Sequence, residues 1–213
     1  MLNARQSVNS NDHRNSIIRG LAAGMAVIVA CGFWTFALHA QSAPAPQDVV
    51  RLVRLLDRHW WIDKMPGFQR WKPTARLTSA QIAQLHCPWP AGVWKPVQLP
   101  DDYIVGGVFS HHANAGHGYL PVYPAWYHRT FRVPDSARGK TIWLNFGGVY
   151  RDAVVFINGK LVGQHPSGYT GFRYNIGKFL NYSRPNTLTV FVDPRFFEGW
   201  WYEGGGIYRH VRH

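Results

Sequence analysis

Glutamate is nearly missing from this sequence. Among 213 residues only Glu198 and Glu203 carry that side chain, and Asp and Glu together number 11 against 23 Lys and Arg. Paired-carboxylate catalysis therefore has one glutamate pair to draw on. Cysteine is as scarce, with Cys31 and Cys87 alone. Cys31 lies in an apolar N-terminal segment, so the rest of the chain has no internal disulfide. Cys87, beside Pro88, reads as a small buried residue and not as a nucleophile. Charged residues make up only 16% of the chain, and although the net charge is +12, no run of consecutive Lys or Arg occurs. Scattered basic residues argue against nucleic-acid recognition and for a solvated basic surface suited to acidic partners. Gly147-Gly148-Val149 lacks the G-x-G-x-x-G spacing and the following helix of a dinucleotide fold, so no cofactor is expected. His111, His112 and His117 share a glycine-rich loop, but their spacing fits no helix face and no cysteine joins them. No metal site is expected there.

What is present is apolar and aromatic, at 46% and 15% of residues, ample for a packed core. The N-terminus has the form of a targeting segment. Arg5, Arg14 and Arg19 precede an uncharged run, Gly20 to Leu38, and a small residue for cleavage follows at Ala40. Residues 1–40 read as a signal peptide, or as an uncleaved membrane anchor through residues 20–38. Both place the chain outside the cytoplasm, in the periplasm or the extracellular space. Residues 41–50 open with QSAPAPQ, a Pro/Ala linker, and residues 51–213 form the folded domain. Val49 to Asp57 has apolar residues at helical and at strand spacing, and both readings stand. Ala75 to His86 predicts a short helix with Thr78 and Gln81 as a capping box, ended by Cys87 to Pro90.

From Trp126 onward the pattern is β. Tyr127, Phe131 and Val133 alternate with His128, Thr130 and Arg132. Ile142, Leu144 and Phe146 alternate with Thr141, Trp143 and Asn145, and Leu188, Val190 and Val192 with Thr187, Thr189 and Phe191. This period of two predicts strands with one core face and one polar face. Asn158-Gly159, between Phe156-Ile157 and Lys160-Leu161, is a hairpin signal, since both residues tolerate positive φ. The fold class is all-β, an antiparallel jelly-roll-type β-sandwich. Gly206 to Val211 is expected to form its last strand. No internal repeat is visible.

The segments GYLPVYPAWYHRTFRVP from Gly118, IWLNFGGVYRDAVVFINGKLVGQHPSGYTGFRYNI, LTVFVD and GWWYEGGGIYRHVRH occur in that order. Together they resemble the N-terminal sugar-binding domain of glycoside hydrolase family 2, the β-galactosidase, β-glucuronidase and β-mannosidase group. The likeness covers Trp94 to His213. Leu56, Asp57 and Trp60 match the family's opening "L-D-x-x-W", and VWKPVQLP resembles its "W-x-x-V-x-L-P-H-D", with Asp101 in place of the histidine. The resemblance implies a galactose-binding-like sandwich that meets a carbohydrate, a β-linked glycoside, and joins a downstream catalytic barrel. The family's catalytic carboxylates belong to that (β/α)8 barrel, so no catalytic residue is assigned here. A glycosidase hydrolysing O-glycosyl bonds and a non-catalytic structural sandwich are the alternatives.

The loop FFEGWWYEGGG concentrates the candidates. A retaining glycosidase needs carboxyl groups about 5–5.5 Å apart, and Glu198 and Glu203 lie five residues apart with no other sign of a cleft around them. They read as carboxylates that hydrogen-bond sugar hydroxyls or neighbouring backbone. Trp200, Trp201 and Tyr202 offer flat faces suited to the C–H surface of a pyranose, or else pack the end of the sandwich. In the family a loop at this point touches the terminal sugar, and position carries that role onto Asp193, Glu198 and Trp200. The sugar-binding candidates are thus Asp193, Glu198, Trp200, Trp201, Tyr202 and Glu203.

Overall fold

A computed structural model describes residues 51–199 and 202–213. The expected signal or anchor helix, the linker and the start of the Val49–Asp57 stretch lie outside the described residues, as do Trp200 and Trp201. Nine strands follow in chain order: β1 (Trp60–Lys64), β2 (Trp94–Val97), β3 (Ala125–Phe131), β4 (Trp143–Phe146), β5 (Ala153–Ile157), β6 (Lys160–His165), β7 (Phe172–Asn175), β8 (Asn186–Val192) and β9 (Val211–Arg212). They form a six-stranded sheet, β2-β1-β3-β8-β5-β6, and a three-stranded sheet, β7-β4-β9. Every pairing is antiparallel. The domain is an antiparallel β-sandwich.

The alternation read from the sequence sets the core. Tyr127, Phe131, Leu188, Val190 and Val192 face Leu144, Phe146 and Val211 across the sandwich, and Trp60 and Ile62 of β1 join the same core. Trp60 donates its indole N–H to the Leu56 carbonyl, which anchors the strand entry. Asn158 and Gly159 make the β5–β6 turn with φ of 52° and 74°, as a type I′ turn requires. The Asn158 side chain also donates to the Phe179 carbonyl at 2.8 Å and accepts from the Thr187 amide at 2.9 Å. The turn is thereby tied to β8.

Three expectations need correction. The helix α1 spans only Ser79–Ala83, although the Thr78/Gln81 capping box is present as read. Ile82 is its one buried residue, and the chain turns at the C-cap Gln84 so that Leu85 packs on the same cluster from beyond the helix. The final strand is not continuous from Gly206 to Val211. Gly206 forms an isolated bridge with Tyr150, while the Ile207 amide turns to the Tyr127 hydroxyl at 3.4 Å instead of a strand partner. Only Val211–Arg212 then pairs with β4.

The third correction concerns the polar face. The outer side of the six-stranded sheet is covered. Leu77, Ile82 and Leu85 pack on Trp126, Val154 and Phe191, with Phe68, Trp71 and Trp94 around them. His128, read as part of the polar face, is 3% exposed and stacks on Trp89 at 3.9 Å, nearly parallel. Burial depresses its pKa to about 4, so the ring is a neutral packing element. Segment 65–94 is thus a third layer, and two-residue periodicity cannot signal it when a strand's outer positions mix Trp and Phe with His and Thr. Of the Val49–Asp57 stretch, residues 51–57 take neither regular form; Leu55 makes an isolated bridge to Arg212.

Phe191 tests the third layer. Its ring touches Phe68, Trp71 and Trp126, so Phe191→Ala should lower unfolding free energy by about 3–5 kcal/mol in urea denaturation. Exposed Thr130→Ala should stay within about 0.5 kcal/mol. A small loss at Phe191 would mean that this face is open to water.

Candidate functional site

The candidate loop leaves the end of β8 and returns at Gly206, and three sets of side chains hold it. The first is at Asp193, 4% exposed. Arg195 grips it through two parallel hydrogen bonds, Nε to Oδ1 and Nη2 to Oδ2, each 2.7 Å. Arg195 Nη1 also donates to the carbonyls of Phe68 and Trp71 at 3.2 Å. The pair clamps the loop's start to the third layer. A bidentate guanidinium–carboxylate pair is among the strongest geometries available.

The second set centres on Arg151, 2% exposed. Its Nη2 donates to Glu198 Oε1 at 2.7 Å and to the Ala75 carbonyl at 2.8 Å, and its guanidinium lies over the Phe196 ring. Next to it, Asp152 sits at φ 44° and accepts from the Leu77 amide and from Gln164 Nε2, both at 2.7 Å. Burial, the larger influence, pushes Asp152 up to about 6 against the lowering effect of those donors.

The third set fixes the loop's end. Asp102 Oδ1 accepts from the amides of Ile104, Val105 and Gly205 at 3.0–3.2 Å. Tyr127 donates to Asp101 Oδ2 at 2.6 Å, and burial keeps its phenol protonated. A Cβ on Gly206 would meet that hydroxyl at 2.5 Å and the Asp101 carbonyl at 2.6 Å, with φ at +130°. Only glycine fits there.

Within this frame Glu203, partly exposed, ties the loop to its neighbours. Its Oε1 accepts from the Tyr169 hydroxyl at 3.1 Å and its Oε2 from the Glu198 amide at 3.2 Å. Tyr202 is 37% exposed. Beside Arg195 lies a cleft of about 430 Å³ lined by His117, Asn114, Ser110 and Leu120, within the size range of small-ligand sites. His117 is buried, its ring edge against Phe197 at 4.7 Å, and burial lowers its pKa. It packs the loop.

The sequence candidates are therefore brought to one place but divided in role. Asp193 is buried against Arg195, Glu198 is exposed yet paired with buried Arg151, Tyr202 is exposed and Glu203 partly so, and Trp200 and Trp201 lie outside the described residues. Sequence reasoning missed Arg151, Asp152, Tyr169, Arg195 and Asp102. A signal was available in the adjacent opposite charges Arg151-Asp152 within an otherwise apolar strand entry, since a charge there needs a buried partner.

Residues 118–202 match the family described as the glycosyl hydrolase 2 galactose-binding domain-like. The chain is 40% identical over 121 residues to the beta-galactosidase BoGH2A of Bacteroides ovatus, covering 55% of this chain and 14% of that protein. It is 35% identical over 122 residues to a putative beta-glucuronidase of Formosa agariphila, covering 56% and 12%. Among solved structures, a beta-glycosidase from Bacteroides vulgatus superposes with a TM-score of 0.59 at 26% identity, over 76% of this chain and 20% of that one. Bacteroides uniformis beta-glucuronidase superposes at 0.54, again at 26% identity, over 76% and 17%. The chain thus spans about a seventh of the length of BoGH2A.

Two measurements follow from the geometry. Asp193→Asn leaves Arg195 without its carboxylate and should cost about 3–5 kcal/mol of stability, read by chemical denaturation. A melt like that of the unaltered protein would free Asp193 for a ligand role. For Asp152, the folded pKa lies above the unfolded one, so the native chain retains a proton that the unfolded chain releases. Stability should then fall as pH rises from about 4 to about 6 and stay lowered above it, and Asp152→Asn should remove that part of the slope. Unchanged slopes in parallel urea titrations would rule this out.

Proposed function

With a galactose-binding-like domain of glycosyl hydrolase 2 type as the premise, we propose that this sandwich recognises carbohydrate through the loop 196–206, as the sugar-contacting domain of a β-galactosidase- or β-glucuronidase-like glycosidase. The observation that carries the reading is the loop's construction. The Asp193–Arg195 and Arg151–Glu198 pairs and the Asp102 amide cradle hold a segment on which Tyr202 is exposed and Glu203 partly exposed. Such bracing fixes the two flanks of a recognition loop before a ligand arrives, which lowers the ordering cost of binding. Trp200 and Trp201 supply stacking faces in the same segment. In this reading Asp193 and Glu198 are braces and Glu203 meets sugar hydroxyls. The cleft beside Arg195 receives the rest of the glycoside.

Hydrolysis belongs to a different part of the enzyme. The Glu203 carboxylate and Glu198 Oε1 are occupied by protein donors, and among the described residues no further glutamate stands near them. Export follows from the charged N-terminus and the apolar run of residues 20–38, and the sugar would be met outside the cytoplasm. Cell fractionation would place the chain.

Calorimetric titration of the purified chain with β-galactosides and β-glucuronides tests the loop. Glu203→Gln should weaken binding about tenfold, and Trp200→Ala about tenfold to a hundredfold, with melting unchanged. Equal affinities for both variants and the parent would remove the loop from the site. Turnover of an aryl β-galactoside that is lost in Glu203→Gln would instead make the loop catalytic.

A further inference from the structure

The outer face of the three-stranded sheet has no covering layer among the described residues, and its chemistry is one-sided. Strands β7, β4 and β9 read FRYN, WLNF and VR, without an acidic residue. Register places Arg173 and Arg212 directly on either side of Asn145. Leu144 and Phe146 point into the core, so Asn145 and the two arginines share the outer face. Strand spacing sets the two arginine backbones about 10 Å apart with the Asn145 amide between them. Arg209 joins from the turn before β9, and together these residues line a groove of about 570 Å³ that Phe172 and His210 complete.

Two of the three arginines are positioned by rings. Arg173 lies over Trp143 at 4.6 Å and Arg209 over Tyr208 at 5.5 Å. A guanidinium stacked on an aromatic face keeps its in-plane N–H donors available. None of the three forms an ion pair among the described residues. Asp57, beside the groove, is taken by His210 Nδ1 at 2.7 Å and the Val211 amide at 3.1 Å. Guanidiniums gathered on one face without carboxylate partners give that face a positive potential that attracts anions.

We propose that this groove is an anion site that takes the carboxylate or sulfate group of an acidic glycan. Asn145 sits between the arginine forks, where it can bond a ring hydroxyl that a bare phosphate lacks. That the anion belongs to a glycan rests on the carbohydrate reading above; that the site is anionic in preference rests on the arginines alone.

The test is calorimetry on the whole chain with four probes: an oligogalacturonate, a sulfated dextran oligosaccharide, a neutral β-galactoside and a DNA duplex. The parent should bind at least one acidic glycan at about 0.15 M salt, where exposed charges further apart than about 8 Å are screened. Arg173→Gln with Arg212→Gln should weaken that binding at least about tenfold, while Arg132→Gln with Arg184→Gln should change it less than about twofold. Arg173→Lys with Arg212→Lys, which keeps charge but loses the fork, should fall between, and serves also if the glutamine variant folds poorly. The uronate and sulfate arms tell the two anions apart. Equal loss in the control pair, or no acidic glycan bound, would overturn the site. Duplex binding as tight and as sensitive to Arg173 would replace the glycan with nucleic acid. The neutral β-galactoside should respond to Glu203 and not to Arg173, so failure of the loop and failure of the groove are separately visible.

Discussion

Strands β3 and β8 share seven register pairs, and both are buried on both sides. On one face Tyr127, Leu188 and Val190 meet the small sheet; on the other Trp126 and Phe191 meet segment 65–94. Rings of that size cannot be left against water without losing a few kcal/mol each. The chain between β1 and β3 is therefore bound to lie over the six-stranded sheet. The candidate site depends on that demand. Arg195 reaches the Phe68 and Trp71 carbonyls, Arg151 reaches Ala75, and Asp152 reaches the Leu77 amide. Each bond runs from the loop's surroundings to a backbone whose place is set by Phe191 and Trp126.

This arrangement also explains why acidic side chains, so few in the sequence, gather where they do. Asp101, Asp102, Asp152, Asp193, Glu198 and Glu203 all stand around one end of the sandwich, and five of them are held by backbone amides or arginines. Buried carboxylates persist only with donors to hold them. The result is a rigid, polar rim in a domain whose other surfaces are mainly basic. A loop rimmed with fixed acceptors suits hydroxyl-rich ligands, because each acceptor has a set direction before binding.

Much of the sandwich was legible. The alternations in β3, β4 and β8, the Asn158-Gly159 turn and the Thr78/Gln81 capping box all appear where the residues place them. These signals are local, since each follows from a few neighbouring side chains. The third layer was not legible. Leu77, Ile82 and Leu85 carry no strand or long-helix period, and their partners lie many residues away. The site divided along the same line. The loop's composition marked it, but which carboxylates would be consumed internally depended on Arg151 and Arg195, whose reach is a property of the fold. The break at Gly206 was hidden for a similar reason, as it turns on the hydroxyl of Tyr127, 80 residues distant along the chain.

The two sheets differ in what their outer faces require. The large sheet presents Trp126, Phe191 and Val154 and has to be covered by its own chain. The small sheet presents Trp143, Asn145, Arg173 and Arg212, residues that water solvates, so nothing obliges the chain to cross it. A surplus of basic residues over the whole sequence becomes, through strand register, a local row of guanidiniums on one face. Scattered charge in the sequence is thus no guide to scattered charge in space. Residues 173 and 212 are 39 positions apart by number yet share Asn145 as a neighbour, and a face so composed favours anions whatever else the domain binds.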